Sequence, residues 1–150
     1  MTTQPTKPAT PIDILLAEDS ETDAELTIDA LQQGKIRNNI HHVWDGEEVL
    51  AFLRKEGQYE NAVRPDLILL DLNMPRMDGR EALREIRSDD NIKAIPVVVL
   101  TTSSQERDIH ESYGLAANNY IVKPVDLVQF FKVIQSVQEF WVNVVKLPKK

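Results

Sequence analysis

The chain has 150 residues, enough for one domain around a single hydrophobic core. It contains no cysteine, which removes disulfides, thiolate metal sites and a cysteine nucleophile from consideration. Its net charge of −7 argues against holding nucleic acid through general phosphate contacts, and no apolar run approaches the roughly 18 residues that a membrane span needs.

Residues 1–10 carry two prolines and no apolar core, so they read as a disordered lead and not as a signal peptide. A cytoplasmic location is the expectation. The domain is expected to run over 11–147, with 148–150 as a tail. Ile12-Asp13-Ile14-Leu15-Leu16-Ala17 is a short apolar strand that ends at the acidic pair Glu18-Asp19. Ser20 then reads as a helix N-cap with Asp23 as its capping-box partner. Ala24, Ile28 and Leu31 form the helical stripe that follows, and Gly34 is a stop signal. Asn39 to Val43 is a weaker strand, followed by Asp45-Gly46 and a helix carrying Val49, Leu50 and Leu53. The adjacent His41 and His42 read as part of that strand and its surface, not as metal ligands.

Leu67-Ile68-Leu69-Leu70 is a continuous apolar run ending at Asp71, the pattern of a strand buried on both faces of a parallel sheet. A loop at Asn73-Met74-Pro75 leads to a helix marked by Ala82, Leu83 and Ile86. Val97 to Leu100 is a β-branched strand that ends at Thr101-Thr102. A helix is expected over about 106–113, a fifth strand over Asn119 to Val122 ending at Lys123-Pro124, and a long last helix from Val125 or Asp126. Strands alternating with helices in this way predict a doubly wound α/β domain with a five-stranded parallel sheet, (βα)5. Its functional residues are then expected at the carboxyl ends of the strands.

Those ends carry Glu18, Asp19, Asp71, Thr101 and Lys123, all polar and each placed after an apolar run. Gathered on one sheet edge, they supply carboxylates, a hydroxyl and an ammonium to one crevice. Crowded carboxylates raise one another's pKa, and a divalent cation relieves this. Oxygen-only ligands point to Mg²⁺ rather than Zn²⁺. Lys123 offers a point charge and Thr101 a hydroxyl for a phosphoryl group, and an aspartate can accept that group as an acyl phosphate.

Glu18-Asp19, Asp71-Leu72-Asn73-Met74-Pro75 with Asp78-Gly79, then Thr101, then Lys123-Pro124 resemble the CheY-like receiver domain of bacterial two-component response regulators. The resemblance covers nearly the whole chain from Ile12 and implies a flavodoxin-like receiver fold. It implies that Asp71 is the phosphoacceptor. It also implies that Asp19 and Asp71 bind Mg²⁺ by side chain, Glu18 directly or through water, and Asn73 by its backbone carbonyl. Lys123 would pair with the phosphate, Thr101 would move to bind it, and Tyr120 matches an aromatic switch position, with plain core as its alternative. Asn73 and Ser103 fall where the family tunes the lifetime of the acyl phosphate, and the Lys123–Pro124 bond is expected to be cis. Many receivers begin with two aspartates where this chain has Glu18.

Residues 127–147 form an unusually apolar last helix. One face can cover the sheet, leaving Phe130, Phe131, Val133, Phe140, Trp141 and Val144 as candidates for a homodimer interface. The alternative is a long helix packed wholly on its own domain. This extension, with Gln58-Tyr59-Glu60-Asn61, Arg64-Pro65-Asp66-Leu67 and Phe140-Trp141, resembles the stand-alone regulators associated with bacterial and cyanobacterial phytochromes. That resemblance implies a phytochrome-type sensor histidine kinase as phosphodonor. With Lys150 as the last residue, output through protein–protein contacts is expected. A phosphohydrolase of the haloacid-dehalogenase type would want a second acid where Asn73 stands. A flavodoxin-like cofactor domain would not place Glu18-Asp19 in its phosphate loop.

Overall fold

The computed structural model describes residues 12–33, 37–101, 119–122, 132 and 135, with Thr101 and 119–122 described at the backbone. The elements follow the expected order: β1 (Ile12–Ala17), α1 (Glu21–Gln32), β2 (Asn38–Val43), α2 (Gly46–Arg54), β3 (Leu67–Asp71), α3 (Gly79–Ser88), β4 (Val97–Thr101) and β5 (Asn119–Val122). A 3₁₀ turn at Gly57–Tyr59 lies between α2 and β3. Gly34, the helix expected over about 106–113, the Lys123–Pro124 bond and nearly all of the last helix lie outside the described residues. Lys132 and Gln135 are helical, and the Gln135 side-chain amide donates to the Ala30 carbonyl of α1 at 3.1 Å.

The strands form one parallel sheet in the order β2-β1-β3-β4-β5. Alternate residues of the central strands enter opposite layers, as the two-residue period of a strand dictates. Leu15, Ala17, Ile68, Leu70, Val97 and Val99 pack with α2 and α3. Ile14, Leu16, Leu67, Leu69, Val98 and Leu100 pack on the other face with Ala24, Ala30 and Leu31 of α1. β3 is therefore buried along its whole length, which accounts for its unbroken apolar run. At the opposite edge from the strand carboxyl ends, Asp66 locks β3 to β1. Its N–H donates to the Asp13 carbonyl at 2.7 Å, and its carboxylate accepts from the Asp13 N–H at 2.9 Å.

Each described α-helix opens on a side-chain cap. Ser20 Oγ accepts from the Asp23 N–H, Asp45 from the Glu48 N–H and Asp78 from the Glu81 N–H, a device worth about 1 kcal/mol apiece. The Ser20 N–H donates to Glu18 Oε2 at 3.1 Å, so the cap of α1 also holds the first acid of the strand-end pair.

Gly46 and Gly79 follow their aspartate caps, and both allow close backbone approaches. A Cβ on Gly46 would run into the Met77 carbonyl, and one on Gly79 would run into the Asp71 carbonyl. Those approaches carry hydrogen bonds: Gly46 N–H donates to Met77 O at 2.8 Å and Gly79 N–H to Leu72 O at 3.0 Å. Gly46→Ala and Gly79→Ala are each expected to cost about 1–3 kcal/mol of folding free energy through this overpacking. Urea unfolding checks this, as a lower midpoint at unchanged slope; midpoints equal to the parent's would mean the two backbones separate freely.

Candidate functional site

The sheet order decides which strand-end residues meet. β1 and β3 are neighbours, with Ala17 opposite Leu70, so Glu18 stands level with Asp71. Because β2 flanks β1 on one side and β3 on the other, this is the point where the strand order reverses, and the loops after β1 and β3 open onto a common crevice. Glu18, Asp19 and Asp71 each present a carboxylate oxygen, and these atoms lie within 4.8 Å of one another.

Glu18 and Asp71 are almost fully buried, and Asp19 is exposed. Backbone donors aim their carboxylates. Glu18 Oε2 accepts from Ser20, and Asp71 Oδ1 accepts from the Asn73 N–H at 3.0 Å. The longer arm of Glu18 does not keep it out of the cluster, since its carboxylate stands within direct reach of the other two. At an effective dielectric near 20, two carboxylates at that separation repel by roughly 3 kcal/mol. A divalent cation offsets such repulsion. The donor set, three carboxylate oxygens with no nitrogen or sulfur, suits a hard cation with oxygen ligands. Exposed Asp19 leaves one side open for water or a phosphate oxygen.

The remaining predicted residues divide into two groups. Thr101 ends β4, one residue beyond Leu100, which pairs with Asp71; Thr101 itself lies opposite Val122 of β5. The Thr101 backbone is thus on the same sheet edge as the acids. Tyr120 is in β5, opposite Val99. Asn73 is the second residue after Asp71. Lys123, which directly follows β5, lies outside the described residues, as do Ser103 and the interface candidates Phe130, Phe131, Val133, Phe140, Trp141 and Val144.

Residues of β2 and of the start of α2 have roles that periodicity does not reveal. His42 lies on β2 with its Nε2–H donating to the Glu18 carbonyl at 2.8 Å, and its ring packs against Trp44 in a tilted arrangement, at a centroid distance of 4.1 Å and an interplanar angle of 44°. His41 pairs instead with Asp13, at 3.1 Å, so the two histidines do not form a site together. Asp45 is a buried carboxylate with both oxygens engaged. Oδ1 caps α2, and Oδ2 accepts from Arg76 Nε at 2.9 Å and Nη2 at 2.6 Å. The only sequence signal for Asp45 is the Asp-Gly pair, which reads as a helix start; nothing local pairs it with Arg76. The pair borders an open cavity of about 320 Å³ next to Glu48 and Tyr59. Burial, then the Glu48 and Asp45 carboxylates, hold the Tyr59 hydroxyl above its ordinary pKa.

Comparison with known proteins agrees with this geometry. The family model for the response regulator receiver domain matches residues 14–135. The response regulator Rcp1 of Synechocystis sp. is 47% identical over 135 residues, which span 90% of this chain and 92% of Rcp1. The crystal structure of the phosphorylated cyanobacterial phytochrome response regulator RcpA superposes with a TM-score of 0.85 at 48% identity, covering 93% of this chain and 100% of that one. The Mn²⁺-bound form of response regulator Rcp1 superposes with a TM-score of 0.84 at 46% identity, with coverage of 93% and 100%. The chain therefore belongs to the response regulator receiver domain family of signalling phosphoacceptors, and within it is similar to phytochrome response regulators.

Proposed function

We propose that this receiver accepts a phosphoryl group on Asp71 from the phosphohistidine of a phytochrome-type sensor histidine kinase, in a Mg²⁺-dependent step. The observation that carries the reading is the convergence of Glu18, Asp19 and Asp71 at the junction of β1 and β3. The phosphorylated state of RcpA and the Mn²⁺-bound state of Rcp1, both similar chains, support the chemistry and the cation class.

In this reading Asp19 and Asp71 ligate the cation by side chain, Glu18 directly or through water, and Asn73 through its backbone carbonyl. Mg²⁺ supplies charge neutralisation for the carboxylates and for the incoming phosphoryl oxygens. A carboxylate oxygen of Asp71 attacks phosphorus, the bond from phosphorus to the imidazole nitrogen breaks, and the imidazole leaves. The Asn73 N–H, donating to Asp71 Oδ1, fixes the orientation of the carboxylate that acts as nucleophile. Lys123 pairs with the phosphoryl group and Thr101 donates its hydroxyl. Asn73 and Ser103 tune the attack of water on the acyl phosphate.

The signal leaves through the region of Thr101 and Tyr120 and the last helix. Phosphate binding draws Thr101, Tyr120 follows, and the surface around β5 and the last helix changes. The last helix forms an isologous homodimer through Phe130, Phe131, Val133, Phe140, Trp141 and Val144. The Gln135 contact to Ala30 supports the part of this reading in which the helix also packs on α1 of its own domain.

Incubation with a small phosphodonor and Mg²⁺ is expected to add one phosphoryl group by intact mass, and Asp71→Asn is expected to abolish the gain. Equal labelling of the Asp71→Asn protein would refute the assignment. Mg²⁺ at a hundredfold excess over its Kd is expected to stabilise the parent by about 2.7 kcal/mol, and the Asp71→Asn protein by much less. Equilibrium sedimentation is expected to give a dimer mass that Trp141→Ala with Phe140→Ala shifts toward monomer. A monomer mass at every concentration, with and without phosphodonor, would count against the last-helix interface.

A further inference from the structure

The loop 72–78 joins the end of β3 to α3 and carries Asn73. It is tied down at several points. At its base the Gly79 N–H closes on Leu72 O, and at its start the Asn73 N–H closes on Asp71. Its far side leans on the first turn of α2, where Gly46 N–H donates to Met77 O at 2.8 Å. Beside that bond the Arg76 guanidinium closes on Asp45 with two nitrogens.

Arg76 itself has φ +64°, in the left-handed region that a non-glycine residue occupies at a cost. The contacts just described hold it there. The Asp45 side of the clamp is rigid: the carboxylate is 1% exposed and its second oxygen is committed to capping α2. The Arg76 side chain is 62% exposed; its Nε also stands 3.9 Å from the exposed Glu47 carboxylate, a longer and more solvated pair than the one with buried Asp45. Asp45 thus acts as a fixed post, and Arg76 is the link from that post to the loop.

We propose that Asp45 and Arg76 are positioning residues for the divalent cation, their ion pair holding the loop 72–78 so that the Asn73 carbonyl stands at the carboxylate cluster. The inference rests on the assignment of Glu18, Asp19, Asp71 and Asn73 as the cation site. Residues that orient a ligand from outside the coordination sphere typically change metal affinity by about 10–100-fold when removed. Both members act through one bond, so their effects are coupled.

The test is isothermal titration of Mg²⁺ into the full chain. Arg76→Ala is expected to weaken Mg²⁺ binding about tenfold. Asp45→Asn, which keeps an oxygen to cap α2 and loses the charge, is expected to do the same. The double variant is expected to bind no more weakly than the weaker single one. Arg76→Lys, which keeps the charge without the two-nitrogen fork, is expected to recover part of the loss. Arg76→Gly relieves the left-handed backbone, tests the same bond should Arg76→Ala not fold, and is expected to stay weak. A purely structural role would lower the urea midpoint and leave the Mg²⁺ Kd of the folded protein unchanged. A Kd within about twofold of the parent in folded Arg76→Ala or Arg76→Gly, or losses that multiply in the double variant, would overturn the inference while leaving the cation site standing. A parent chain that binds no Mg²⁺ would overturn the cation site and the inference together.

Discussion

Burying two carboxylates beside each other is an electrostatic cost that the rest of this fold is arranged to carry. Glu18 and Asp71 are nearly inaccessible to solvent, and Asp19 brings a third charge to within 4.8 Å. A flexible loop would relax such a cluster by swinging one acid into water. Here that escape is closed. Glu18 and Asp71 continue directly from strands paired to each other in parallel register, and those strands are anchored on both faces by aliphatic side chains. In the proposed cation site this repulsion would favour a divalent cation, since neither buried acid can relieve it by swinging into water.

The immediate surroundings extend this restraint through the backbone. Ser20 holds Glu18 from below, Asn73 holds one oxygen of Asp71, and His42 reaches from β2 to the Glu18 carbonyl. Each uses a main-chain group of the acidic loops, so the positions of the carboxylates are set by the backbone, not by side-chain rotamers alone. Gly46 and Gly79 serve the same end from the other side. By lacking a side chain they let the loop after Asp71 lie against the start of α2 and against β3 itself.

In the proposed reading this arrangement sets the carboxylate cluster apart from the output surface. The acids, their caps and the loop 72–78 form a stiff unit on β1, β3 and α2. Thr101 and β5 lie further along the sheet, toward the edge opposite β2. The Gln135 side chain of the last helix reaches the Ala30 carbonyl of α1. In the proposed mechanism, phosphorylation adds charge at the stiff end and is read at the other, which suits a switch whose catalytic geometry has to stay constant while its surface changes.

Much of this was legible in the sequence. β1, β3 and β4 begin and end within a residue of their apolar runs, because burial on both faces demands a continuous apolar segment, whereas the edge strand β2, with its asparagines and histidines, gave a weaker signal. The strand-end acids stood out because a charged residue directly after such a run has to lie at the sheet edge. Sequence patterning also marked Ser20 and Gly46 as helix starts. It did not reveal the partnership of Asp45 with Arg76, separated by 31 positions, or the reach of His42 to Glu18. It left open whether Glu18 would fall short of the other two acids. The physical reason is the same in each case. Periodicity reports which face of an element is buried, and it is silent on which elements are neighbours. Residue types and their order determined by themselves that this chain carries an acidic, phosphoryl-directed edge. Only the tertiary structure, by setting β1 beside β3 and closing the loop after Asp71 onto α2, decided that the three carboxylates meet and what holds them there.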